Sequence, residues 1–162
     1  MEIRFIVEGK VQPKQRPRFR RAGNKVFTYT PKETTNYENL IKENFLSKCK
    51  NMGDYLGNVE MEIITRFKPP KSTSKKRFTL LMNTPFLKKP DIDNVVKSIC
   101  DGLNGVAYND DNQVSKITVS KIYGEVDEVE VIIRYEEKEK KWICIGSIPN
   151  FKSTIQRQEI LL

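Results

Sequence analysis

The chain has 162 residues, 38% of them hydrophobic and 31% charged, which fits one globular domain with a modest core. No apolar run approaches the roughly 20 residues that span a bilayer, and the opening Met1-Glu2-Ile3-Arg4-Phe5 is not a signal peptide, so a cytoplasmic protein is expected. Three isolated cysteines without a CxxC pair argue against a disulfide framework or zinc site. With no histidine, any hydrolytic chemistry must use carboxylates, lysine and water on a hard metal ion.

In chain order, Ile3, Phe5 and Val7 alternate with polar residues as a first strand. A basic, proline-containing segment follows, with Lys10, Lys14, Arg16, Arg18, Arg20, Arg21 and Lys25 and no acid among them. Val26–Tyr29 returns as a short strand. A helix is expected next, with Thr30 as N-cap, Pro31 in its first position and Glu33 completing a capping box. Its apolar face is Tyr37, Leu40, Ile41 and Phe45, and Asn51–Gly53 ends it.

Val59, Met61, Ile63 and Phe67 form a second long strand. A second acid-free basic segment runs from Arg66 to Lys89 and includes Lys71, Lys75, Lys76, Arg77, Lys88 and Lys89, with a short helix expected within Ser72–Met82. Two strands, Ile117–Tyr123 and Val129–Tyr135, follow the central helix, and Gly124–Asp127 is read as a hairpin turn between them. The expected fold is α+β, a mostly antiparallel sheet with helices packed on one face. Residues 1–136 make the domain, and 137–162 form a C-terminal extension containing a charge run and a terminal helix.

The two basic segments hold more than half of the 29 lysines and arginines, and the rest of the chain is net acidic. Such segregation suits a polyanion, and the prolines in these stretches disfavour the amphipathic helix of a membrane-surface protein. The candidate nucleic-acid contacts are Lys14, Arg16, Arg18, Arg20, Arg21, Lys71, Lys75, Lys76, Arg77, Lys88 and Lys89.

Between the basic segment and the last strands lies the chemistry. Ile92, Val95, Val96, Ile99, Cys100 and Leu103 make one apolar helical stripe, ended by Asn104-Gly105. Asp93 and Lys97, four apart, share a flank beside it, and Asp91 sits at the helix entrance. Asp110 and Asp111 bring two more carboxylates on the loop after the helix, one of which can reach the same site. Oxygen ligands of this kind suit Mg²⁺, and Lys97 suits a phosphate oxygen. Each piece also has an ordinary use: Asp91 as an N-cap, Asp93–Lys97 as a surface ion pair, Asp110-Asp111-Asn112 as a turn. Asp101, about half a turn from the stripe, is expected to face solvent or a partner subunit.

The ordered set Asp91-x-Asp93-Asn94-x-x-Lys97, then Asp101-x-Leu103, then Asp110-Asp111-x-Gln113-Val114 resembles the RusA family of Holliday junction resolvases, over roughly residues 1–136. The opening strand and the segment Pro13-Lys14-Gln15-Arg16-Pro17-Arg18 share in it. The resemblance implies a homodimer that cuts four-way DNA junctions in pairs with Mg²⁺, or Mn²⁺ in its place. It implies catalytic and metal-binding roles for Asp91, Asp93 and Asp111, a catalytic role for Lys97, and Asp110 as a secondary candidate. A place in DNA recombination and repair, and a prophage setting, would suit such an enzyme. Two competing readings are a non-catalytic structure-selective DNA-binding protein and a nuclease for flaps or forks.

Overall fold

A computed structural model describes residues 1–23 and 25–136 of the chain; the proposed extension 137–162 lies outside the described residues. The elements are β1 (Glu2–Glu8), β2 (Arg18–Ala22), β3 (Lys25–Tyr29), α1 (Lys32–Lys48), β4 (Val59–Phe67), α2 (Lys75–Leu81), α3 (Ile92–Leu103), β5 (Val114–Tyr123) and β6 (Glu128–Tyr135). This is an α+β architecture. Four strands form the main sheet in the order β1-β6-β4-β5, and β2 and β3 form a separate two-stranded ribbon.

The alternation in sequence decides which sheet face is dry. Phe5 and Val7 of β1, Val59, Met61 and Ile63 of β4, and Val129, Val131 and Ile133 of β6 are all buried. They join Tyr37, Ile41 and Phe45 of α1 and Val95, Ile99 and Leu103 of α3 in one core. The opposite face carries charge. Arg66 bonds Glu128 and Glu130 at 2.9 and 2.8 Å, and Arg134 bonds Glu2 and Glu62 at 2.8 and 3.0 Å. Arg66 is therefore tied to the sheet, although it opens the second basic segment. The core-lining helices are α1 and α3; α2 buries none of its residues.

The last two strands depart from the expected hairpin. β5 pairs with β4 in parallel, whereas β6 pairs antiparallel with both β1 and β4. The sheet is mixed, and Gly124–Asp127 carries the chain over the end of β4, two strand spacings of roughly 4.8 Å each. Local bonds fix the crossing: Gly124 N–H donates to Phe67 O, and Lys68 N–H donates to the Asp127 carboxylate. A Cβ on buried Gly124 would lie 2.8 Å from Arg66 Cβ, so glycine suits the close approach.

The start of α1 is also displaced from expectation. Pro31 itself is the N-cap, Lys32 begins the helix, and no side chain caps it. Glu33 accepts instead from Gln15 Nε2 at 3.0 Å, which ties the basic segment to α1 rather than closing a capping box. Leu40 is 38% exposed, and buried Thr34 takes its place on the inner face. The helix ends at Lys48, before Asn51–Gly53.

Candidate functional site

The helix α3 is the platform of the site. Val95, Ile99 and Leu103 are fully buried, so the helix has one rotational setting against the sheet and α1. Its first stripe residue, Ile92, is 47% exposed, because the first turn extends past the core into a cleft. Gly105, at φ +73°, takes the left-handed conformation after the helix end.

At the entrance, Asp91 occupies the N-cap position with extended backbone yet makes no side-chain cap hydrogen bond. An aspartate there ordinarily accepts from the N–H groups of the first turn. Its exposed carboxylate instead lines an open cleft of about 560 Å³, together with Asp93, Lys88, Lys89, Ile92 and Lys121. The positive end of the helix dipole lies at the same place and favours anionic groups. Asp93 is exposed, and its Oδ1 accepts a 3.4 Å bond from Asn94 Nδ2. Lys97 is exposed one turn further along that flank.

The structure distinguishes the two later acids. Asp110 caps a 3₁₀ turn, Asp111–Gln113: its carboxylate accepts from Asn112 N–H at 2.9 Å, and the Gln113 side chain accepts from Asp110 N–H. Asp111 is exposed; its backbone carbonyl accepts from Val114 N–H, but its carboxylate has no hydrogen bond or ion pair among the described residues. It lies close enough to α3 to act on Cys100. Burial pushes that thiol up to about 11, a Tyr108 hydrogen bond opposes the shift, and the Asp101 and Asp111 charges add to it. Cys100 follows Asp93 and Lys97 around nearly the same flank, at about 100° per residue. Asp93 stands at the start of that flank, and Asp91 just before it at the N-cap. Among the described residues, no three acidic, cysteine or histidine side chains already form a metal-binding group.

Asp101 is half-buried and bonded within its own chain rather than pointing freely into solvent. Lys14 Nζ sits 2.6 Å from Asp101 Oδ2 and 2.5 Å from Glu38 Oε1, and Lys14 N–H donates to Asn94 O at 2.9 Å. The first basic segment is thereby pinned along α3 and α1. Partial burial alone would lower the Lys14 pKa, but the hydrogen bonds to Asp101 and Glu38 prevail and raise it. Of the basic residues expected to meet nucleic acid, Lys14 is thus committed to protein carboxylates, whereas Arg16, Arg18, Arg20, Arg21, Lys71, Lys75, Lys76, Arg77, Lys88 and Lys89 are exposed. Lys14→Met should lower stability by about 1–2 kcal/mol in denaturant unfolding, by leaving Glu38 and Asp101 unpaired. Because the folded-state pKa is raised, this contribution is complete below the ordinary lysine value of 10.5 and fades as pH rises through the folded value.

Lys121 of β5 is a site residue that the sequence reading missed. Its ammonium donates to Lys88 O at 2.6 Å and Pro90 O at 2.5 Å, bracketing the cis Lys89–Pro90 bond that leads into Asp91. It also sits 5.6 Å from the Phe86 ring centre. Strand alternation predicts an apolar residue at its position, and a lone lysine on that face was the available signal.

Fold and site together define a small α+β protein in which a basic arm lies along a carboxylate-bearing helix, suited to acting on a phosphodiester polyanion. The family model for the endodeoxyribonuclease RusA matches residues 8–134, most of the chain. The chain belongs to the RusA endodeoxyribonuclease family, which implies a nuclease acting on junction DNA. It is also similar to the uncharacterized protein YqaN of Bacillus subtilis (strain 168): 34% identical over 139 residues, 82% of this chain and 95% of that protein. No helix among the described residues is long and apolar enough to cross a membrane.

Proposed function

We propose that the chain is a divalent-metal-dependent endonuclease that resolves four-way DNA junctions by paired phosphodiester cleavage, acting as a homodimer in recombination and repair. The observation that carries this reading is the Asp91 carboxylate. It stands at a helix N-cap without capping and lines a cleft together with Asp93 and the exposed Lys88 and Lys89. The donor chemistry fits Mg²⁺, with Mn²⁺ as substitute. The carboxylate oxygens are hard and exposed, and such an ion binds through one or two carboxylates plus waters and substrate phosphates.

Asp91 and Asp93 would hold the metal, and Asp111 would approach it from the 3₁₀ turn. Bound there, the metal supplies an activated water and a counter-charge for the scissile phosphate. Lys97 holds a non-bridging phosphate oxygen and offsets the charge that builds on it. Lys88 and Lys89, at the cleft rim, take the flanking phosphates. Asp110 stays with its turn. Two strands of a symmetric junction require two equivalent sites, which a two-fold homodimer provides.

The test is a substrate panel of four-way junction, flap, fork and duplex at one salt concentration, with Mg²⁺ or with EDTA. Paired nicks in the junction that need Mg²⁺ are expected, from a species near twice 18.9 kDa by sedimentation. Junction binding without metal-dependent cutting would leave a DNA-binding protein, and faster cutting of flaps would redirect the substrate assignment. Lys121→Met should lower the single-turnover nicking rate by roughly ten- to a hundred-fold, because Asp91 loses its fixed approach. Its melting temperature should move little, which separates misplacement from unfolding.

A further inference from the structure

The β2–β3 ribbon has a composition that phosphate tracking alone does not explain. All ten of its residues are exposed, including Phe19 at 74%, Phe27 at 53% and Tyr29 at 47%. A two-stranded ribbon in water is marginal by itself, and exposed aromatic surface marks a contact. Residues opposite each other in an antiparallel pair share a face. The register sets Arg18 beside Tyr29, Arg20 beside Phe27 and Ala22 beside Lys25. One face therefore alternates cations and rings, around a shallow hollow of about 510 Å³ lined by Arg20, Ala22, Phe27 and Tyr29.

We infer that this face of the ribbon stacks on unpaired or unstacked bases where the strands of a branched DNA exchange, while Arg18 and Arg20 hold the adjoining phosphates. The inference rests on the proposed junction-cutting function and adds a base-contacting surface to it. Charge selects the occupant. From Gly9 to Lys32 there is no acid, so a second copy of the ribbon would meet this one with like charges, whereas DNA offers phosphate to the arginines and flat bases to the rings. Spacing agrees: residues two apart on a strand lie about 6.8 Å apart, twice the roughly 3.4 Å rise per nucleotide of a strand. One base fits between neighbouring rings. The ribbon is also tethered to the cutting helix, since the preceding arm is bonded to α3 through Lys14.

The test compares the full-length wild type with Phe27→Leu/Tyr29→Leu, which keeps apolar side chains and removes the rings. Binding is measured without divalent metal, on a four-way junction carrying 2-aminopurine at the branch point and on plain duplex. Expected for the variant is a roughly five- to hundred-fold loss in junction affinity. Its slope of log affinity against log salt should not change, its duplex binding should be as in wild type, and the 2-aminopurine signal should be lost. Arg20→Gln should instead weaken both DNAs and reduce the salt slope by about one. Wild-type junction binding by the leucine variant overturns the inference and leaves the nuclease reading standing, as does an equal loss on duplex. A change of oligomeric mass in the variant would assign the face to a contact between copies and overturn it too. If the wild type itself does not prefer junction to duplex, the junction reading falls first and takes this inference with it. Should the double variant lose its circular dichroism signal, Phe27→Leu and Tyr29→Leu singly decide by the same measurements.

Discussion

Asp93→Asn is expected to abolish nicking of a four-way junction in saturating Mg²⁺, with a rate loss of at least 10²–10³, while the junction is still bound. The magnitude follows from what the carboxylate would do. A preorganised interaction aimed at charge that develops during reaction is worth roughly 3–4 kcal/mol, which is that range in rate. Asparagine keeps the shape and one oxygen but loses the charge that holds a divalent ion. Removing a negative charge beside a phosphate also relieves repulsion, so affinity should stay level or rise. Gel-shift titration and single-turnover cleavage on the same substrate measure both.

The informative control lies two turns further along the same helix. Asp101 is bonded to Lys14, which ties down the basic arm, so Asp101→Asn should change nicking by only a few-fold. Equal losses in the two variants would mean that both acids act through folding, and the metal-site assignment of Asp93 would fall. The same logic separates the loop acids. Asp110 serves its own turn, so Asp110→Asn should act on that turn's stability, whereas Asp111→Asn should act on the rate.

That distinction was partly legible in the sequence. Asp110 and Gln113 are three apart, which is the spacing of a capping box, and the reciprocal bonds of the 3₁₀ turn follow from it. Strands β1 and β4 could be read directly because each alternates between a dry face and a wetter one with a period of two. Strand β6 could be read from its Val129, Val131 and Ile133, although Glu130 and Ile132 on its other face are buried too. The site-bearing helix α3 could be read because its stripe runs three turns. What stayed hidden was non-local. Nothing in the residues around Gly124 distinguishes a turn that pairs β5 with β6 from one that vaults β4; the parallel β4–β5 register is settled by contacts more than fifty residues apart. The Lys14 bonds to Glu38 and Asp101, and the Lys121 grip on the approach to Asp91, likewise join segments remote in sequence. Charge counting placed Lys14 with the nucleic-acid contacts because it cannot tell a lysine facing solvent from one facing two carboxylates.

The dependence of the site on remote packing makes the second large effect one of stability. Phe45 of α1 is fully buried and meets Phe5 of β1 edge-on, with ring centres 5.8 Å apart at 75°. Phe45→Ala should cost about 3–5 kcal/mol, from lost transfer energy and the cavity left behind. A domain of this size has only about 5–15 kcal/mol in total, so the melting temperature should fall by roughly 10–20 °C. Leu46, the next residue, is 39% exposed, and Leu46→Ala should shift stability far less. The functional consequence is specific. Helix α3 packs against α1: a Cβ on Gly102 would lie 3.0 Å from Glu38 O and 3.1 Å from Ile41 Cβ. While α1 stays folded, the platform beneath Asp93 and Lys97 is intact. Phe45→Ala should therefore retain nicking within a few-fold at 10 °C, where most molecules remain folded, and lose it at 37 °C in step with the circular dichroism signal. Loss of nicking at 10 °C in a folded protein would show that α1 shapes the site directly, beyond supporting it.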